Sequence, residues 1–167
     1  MPEIHPVPSD FGSIVVQLIV RDARAASDFY RRAFDANELF RHQWQDDRRV
    51  FHCELLIGGG RIMLQDEFPE RRLLSPTTLG GSPTTIHLYV QDAEATFRRA
   101  VVAGARALSP VEFRFWGVVC GALEDPFGHR WIISTRVEDL GPEELAARAA
   151  DVPPDRRLPV GPAGARR

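Results

Sequence analysis

Residues 14–34 read IVVQLIVRDARAASDFYRRAF, and residues 85–104 read TIHLYVQDAEATFRRAVVAG. The first stretch opens on Ile14 to Val20, a short β-branched apolar run with the composition of a strand. Asp22 then stands where an N-cap accepts the free amide hydrogens of a first helical turn. Ala26, Phe29, Tyr30 and Ala33 follow at helical spacing and form an apolar stripe. The second stretch repeats this order. Thr85 to Val90 reads as a strand, Asp92 as the cap and Ala93 to Ala103 as the helix. Gly104 suits the left-handed residue that closes a helix. The two caps, Asp22 and Asp92, lie 92 − 22 = 70 residues apart. An internal repeat of this kind sets the architecture.

Each helix is followed by three strand-like segments. In the first half these are Glu38 to Gln45, Arg49 to Ile57 and Arg61 to Gln65, the last two joined by the hairpin signal Gly58-Gly59-Gly60. In the second half they are Ala105 to Glu112, Trp116 to Leu123 and Arg130 to Ser134, the last entered through the turn Asp125 to His129. The expected class is therefore α+β, two βαβββ modules. We expect an N-terminal extension at 1–10, a first module at 11–67, a linker at 68–83 and a second module at 84–140. The linker is rich in Pro, Gly, Ser and Thr. A C-terminal helix is expected at 141–150, with Glu143 and Glu144 in its first turn, and a disordered tail at 151–167.

Bulk properties exclude several functions. Of 167 residues, 44% are hydrophobic and 26% charged, as in an ordinary globular chain, and the net charge is −2. No basic field is available to hold nucleic acid or an anionic membrane surface. No apolar run reaches the roughly 20 residues of a membrane helix, and the first ten residues lack the pattern of a signal peptide. The only cysteines are Cys53 and Cys120, each in an apolar strand, which fits buried thiols in a reducing cytoplasm. Gly58-Gly59-Gly60 joins two strands and opens no helix, so it is a poor phosphate cradle.

Several runs resemble a known family. VRDARAASDFYRRAFDA is similar to the opening of glyoxalase/bleomycin-resistance proteins of the vicinal-oxygen-chelate superfamily, and IHLYVQDAEATFRRAVVAGA to the start of their second module. LEDPFGHRWIIST resembles their turn into the last strand. RIMLQDEFPE and LGGSP are similar to a bacterial phosphonate-operon-like branch. The resemblance spans roughly residues 10 to 150. It implies a curled eight-strand sheet around a ligand-binding cup, and a homodimer.

Metal-using members carry His, Gln or Glu ligands on the first and last strand of each module. The resemblance places those positions on Val15, Met63, Thr85 and Ile132, none of which binds a divalent metal, so no cofactor is expected. A competing reading uses Gln17 and His87, two residues further along the first strands, together with His52 and Glu54. His5, His42 and His129 have weaker claims. The implied cup-facing set is Val15, Gln17, Ile19, Arg61, Met63, Gln65, Thr85, His87 and Tyr89, with Phe115 and Trp116 from a loop and Trp44 from the hairpin region. Apolar walls, aromatic planes and a few polar groups suit a small-molecule pocket, and Arg61 or Arg114 suits a carboxylate or phosphate. Val118-Val119-Cys120, where relatives carry polar residues, implies a greasier cavity.

The implied function is binding of a hydrophobic or aromatic small molecule in a metal-free cup, as in antibiotic sequestration or natural-product handling. Two enzyme readings stay open beside it. One is a metal-dependent lyase, isomerase or dioxygenase with Glu54 as base. The other is a metal-free isomerase or cyclase with His87 as acid/base.

Overall fold

The computed structural model describes Pro6, residues 14–44 and residues 47–153. Apart from Pro6, the N-terminal extension with His5 lies outside the described residues, as does the expected tail from residue 154 onward. The chain divides into two compact units, Met1–Gly81 and Ser82–Arg167.

The first unit runs β1 (Val16–Val20), α1 (Ala23–Phe34), β2 (Asn37–Gln43), β3 (Val50–Ile57), β4 (Gly60–Asp66) and α2 (Pro76–Leu79). Its sheet has the order β1-β4-β3-β2, with β1 parallel to β4 and the other pairs antiparallel. Asp22 caps α1 as expected, accepting from the Ala25 amide at 2.9 Å. The apolar stripe of α1 packs on the sheet, and Phe29, Tyr30 and Ala33 are buried. Phe29 meets Tyr30 edge-on at 5.4 Å, and Tyr30 stacks on Phe34 at 5.9 Å. Burial of each such side chain contributes about 1.5–3 kcal/mol. Facing them are Leu18, Cys53, Leu55 and Leu64, the alternate residues of their strands.

Glu38 and Arg41 lie on this helix side, where Arg41 and the Ser27 hydroxyl both donate to the Glu38 carboxylate. Burial pushes that carboxyl up, but the bonds from Arg41 and Ser27 outweigh it and hold it below the ordinary value.

The segment read from sequence as a linker has structure of its own. Pro69–Arg71 form a short 3-10 turn and Pro76–Leu79 form α2, capped by Ser75. Glu67 anchors it by accepting from the Ser75 amide and hydroxyl and from Thr78.

The second unit runs β5 (Thr85–Tyr89), α3 (Ala93–Ala103), β6 (Arg106–Arg114), β7 (Val118–Glu124), β8 (Arg130–Arg136) and α4 (Pro142–Ala150). Its sheet order, β5-β8-β7-β6, repeats that of the first. Asp92 caps α3 through the Ala95 amide, and Gly104 closes it at φ 120°. At Gly121 a Cβ would lie 2.9 Å from Val111 Cγ2 and 3.0 Å from Phe97 Cε2, so a glycine is needed for α3 to seat on β7.

The repeat extends to a lock at the end of each last strand. Asp66 Oδ1 accepts from the Ala23 amide at 2.6 Å, and Thr135 Oγ1 accepts from the Ala93 amide at 2.8 Å. Each side chain satisfies an amide hydrogen that the first helical turn leaves open.

Both cysteines are free and buried. Burial pushes the Cys53 thiol up to about 11. It also raises Cys120, with the Arg114 guanidinium acting against it. The thiolate is the nucleophile, so a raised, shielded thiol is inert. Neither cysteine is expected to react with a disulfide reagent such as DTNB at pH 8 in the native chain, and both should react in guanidinium. Rapid native labelling of one thiol would contradict this placement.

Candidate small-molecule site

In the first unit the cross-strand register sets one row of side chains across all four strands. Gln17 stands opposite Met63, Met63 opposite Glu54, and Glu54 opposite Phe40. Ile19 pairs with Gln65, Leu56 with Arg61, and His42 with His52. Paired residues share a face. The residues alternating with them are the buried ones under α1, so this row lies on the sheet face turned away from the helix.

The polar groups on this face are tied to one another. Arg61 Nη1 donates to Glu54 Oε2 at 2.7 Å, and His52 Nε2 lies 2.9 Å from Glu54 Oε1. Both carboxylate oxygens are thereby engaged. Gln17 Nε2 donates to Gln65 Oε1. Gln65 is 7% exposed, and its Nε2 is buried with no hydrogen-bond partner among the described residues. The expected residues Gln17, His52, Glu54, Arg61, Met63 and Gln65 are thus brought together on one surface.

A row of rings continues from this face along the β2–β3 pair. Phe40 lies 6.0 Å from His52, His42 lies 4.5 Å from Phe51, and Trp44 stacks on Phe51 at 4.8 Å. Phe51 joins the row because of a bulge. The register passes from His42 opposite His52 to Gln43 opposite Val50, leaving Phe51 as an extra residue that breaks the alternation. Beside these rings is an open groove of about 490 Å³ lined by Trp44, Phe51, Gln65, Phe68 and Leu73, with Asp47, Arg49, Glu70 and Arg71 also contributing. Arg49 sits 4.3 Å over the Phe68 ring and pairs with Asp47 and Glu70. The sequence reading found Trp44 and Gln65 but not Phe51, Phe68 or Leu73. Phe51 was hidden by the bulge, and the other two lie in the segment taken for a linker.

In the second unit, His87 is exposed on β5 opposite Ile132, between Thr85 and Tyr89 on the same face. Its neighbours there are apolar: Val118, Cys120, Ala122 and Ile132 form a buried cluster against Leu108 and Trp116. Val118 and Cys120 are thus part of a buried apolar cluster. Phe115 and Trp116 meet edge-on at 4.9 Å in the β6–β7 turn. Tyr89, Trp116, Val118, Arg136, Leu140 and Leu145 border a hollow of about 530 Å³. Arg114 Nη2 lies 3.5 Å from Glu112.

Met63 faces Gln17 rather than Val15, and Ile132 faces His87 rather than Thr85. The structure therefore sets the two-residue offset on β1 and β5 as the paired position. Among the described residues, no group of three or more His, Cys, Asp or Glu side chains has the placement to hold a metal ion. No helix among the described residues is long and apolar enough to cross a membrane.

Comparison with known proteins agrees with this architecture. Residues 12–133 match the family model described as the Glyoxalase/Bleomycin resistance protein/Dioxygenase superfamily. An uncharacterized protein of Mycobacterium tuberculosis is 42% identical over 133 residues, covering 78% of this chain and 78% of its own length. A solved gene product of Arabidopsis thaliana aligns with a TM-score of 0.58 at 30% identity, over 74% of this chain and 98% of that one. TioX from Micromonospora sp. ML1 aligns with a TM-score of 0.59 at 24% identity, over 78% of this chain and 100% of that one, a likeness of fold.

Proposed function

Because the chain belongs to the glyoxalase/bleomycin resistance protein/dioxygenase superfamily, we propose that it binds a hydrophobic or aromatic organic molecule and holds it without turnover. The reading is carried by the helix-free face of the first sheet. Aromatic rings line it, and its one acid, Glu54, is held by Arg61 and His52. Glu54 lies against both partners, one at each oxygen, and so holds Arg61 and His52 in fixed positions on the face. His87, the other acid/base candidate, has no hydrogen bond or ion pair among the described residues to orient its ring. Such a face provides shape, stacking and fixed hydrogen bonds, which serve recognition.

The same reading includes a homodimer in a reducing cytoplasm, with no metal needed for binding. Two buried free thiols and the family resemblance support it. The test is a thermal-shift screen of purified protein against aromatic natural-product scaffolds, with mass spectrometry of each compound after incubation. A binder present at a hundred times its Kd stabilises the native state by about 2.7 kcal/mol, a shift of several degrees. Stabilisation with the compound recovered unchanged is the expected result. Conversion of the compound would move the protein to the enzyme class. A screen with no shift would remove the reading.

A further inference from the structure

We propose that the groove beside the β2–β3 pair of the first unit takes a planar aromatic ring bearing a neutral acceptor oxygen, such as an aryl ketone or amide carbonyl, with the oxygen received by the Gln65 side-chain amide. The proposal rests on the binding function above and specifies its ligand class and its contact.

Three observations converge. Trp44 keeps 54% of its surface open although Phe51 stacks against it at 4.8 Å, so the pair is a platform with room for a further ring. Gln65 forms part of the lining of the same groove. It is 7% exposed, its oxygen is taken by Gln17, and its Nε2 has no acceptor among the described residues. A buried donor left unmade is costly and rare, and an acceptor delivered to it recovers the loss. The third observation is charge. Arg49 and Arg71 are matched in the lining by Asp47 and Glu70, and Arg49 is committed to both carboxylates. Among the described residues this lining is balanced and favours neither a carboxylate nor an amine, so the selective element is the neutral amide donor. Its recognition favours a carbonyl over a hydrocarbon of the same shape.

The probes are 2-acetylnaphthalene and its oxygen-free isostere 2-isopropylnaphthalene, measured by equilibrium dialysis against the full chain. The ketone is expected to bind about tenfold more tightly than the hydrocarbon, the scale of one buried hydrogen bond. Gln65→Leu should abolish that preference while leaving hydrocarbon affinity in place. Gln65→Met provides a second variant should the first fold poorly, with circular dichroism as the check. Trp44→Ala should weaken both probes. Equal affinity of the two probes for the native chain would overturn the assignment of Gln65. Retention of the ketone preference in both Gln65 variants would do the same. If neither probe binds while other compounds stabilise the chain in the thermal screen, this ligand class is wrong and the binding function stands. If nothing binds in either experiment, both fall.

Discussion

Asp125→Ala is expected to be the most damaging single substitution in the second unit, costing about 3–5 kcal/mol of stability. Asp125 is 4% exposed and closes the turn into β8. Its Oδ1 accepts from the Phe127 and His129 amides, both at 2.9 Å, and its Oδ2 accepts from Trp131 Nε1 at 2.9 Å. Alanine removes the acceptor from all three donors at once, beside a Trp131 ring that is 1% exposed. Bonds to an ionised acceptor are stronger than neutral ones, and the desolvation penalty of each abandoned donor adds to the loss. Asp125→Asn should recover about half of the loss, because its oxygen still serves the two amides while its NH₂ group meets the indole N–H donor to donor. Urea titration followed by tryptophan fluorescence checks this. A loss below about 1 kcal/mol would mean that water replaces the carboxylate, as at an ordinary surface turn.

Asp66→Ala is expected to cost the first unit about 2–4 kcal/mol. Its two oxygens accept from the Ala23 and Val50 amides, each at 2.6 Å, tying the end of β4 to the start of α1 and to the start of β3. Burial pushes its carboxyl above the ordinary value of 3.8, and the two backbone bonds only partly offset that. The sign follows from linkage. A carboxyl raised in the folded state contributes most below its unfolded value, and the contribution declines as the pH rises through the raised one. Glu38 behaves oppositely. Its contribution is present above 4.5 and is lost as the pH falls through its lowered value. The stability difference between native chain and Asp66→Ala should therefore narrow as the pH rises from about 3.8, measured by urea titration across that range. A penalty that grows with pH would show that the backbone bonds outweigh burial. The counterpart Thr135→Ala removes a neutral acceptor and should cost less, about 1 kcal/mol, with no such pH dependence.

The repeated order of strand, cap, helix and three strands was legible because its signals are local. β-branched runs, Asp22 and Asp92 ahead of apolar stripes, and Gly104 behind one each act within a few residues of themselves. The alternation along β4 also puts Arg61, Met63 and Gln65 on one face from sequence alone. Partnership was not legible. Gln17 and Gln65 are 48 residues apart, and the hydrogen bond that leaves Gln65 Nε2 as the unmatched donor depends on the parallel pairing of β1 with β4.

Other features also waited for the fold. The bulge that turns Phe51 toward Trp44 is a register slip between two strands, and a period-2 reading cannot show which residue is extra. Phe68 lay in a stretch whose composition reads as linker, yet Glu67, Ser75 and Thr78 bind it into a folded segment. Asp66 reads as a strand end and acts as a lock on two distant backbones. The sequence by itself determined the element types, their order, the helix ends and the alternation of faces, since backbone preference and burial period act over one or two turns. Tertiary structure alone decided which polar groups pair and which donor is left over, because hydrogen bonding over a few ångströms depends on strand register rather than on distance along the chain.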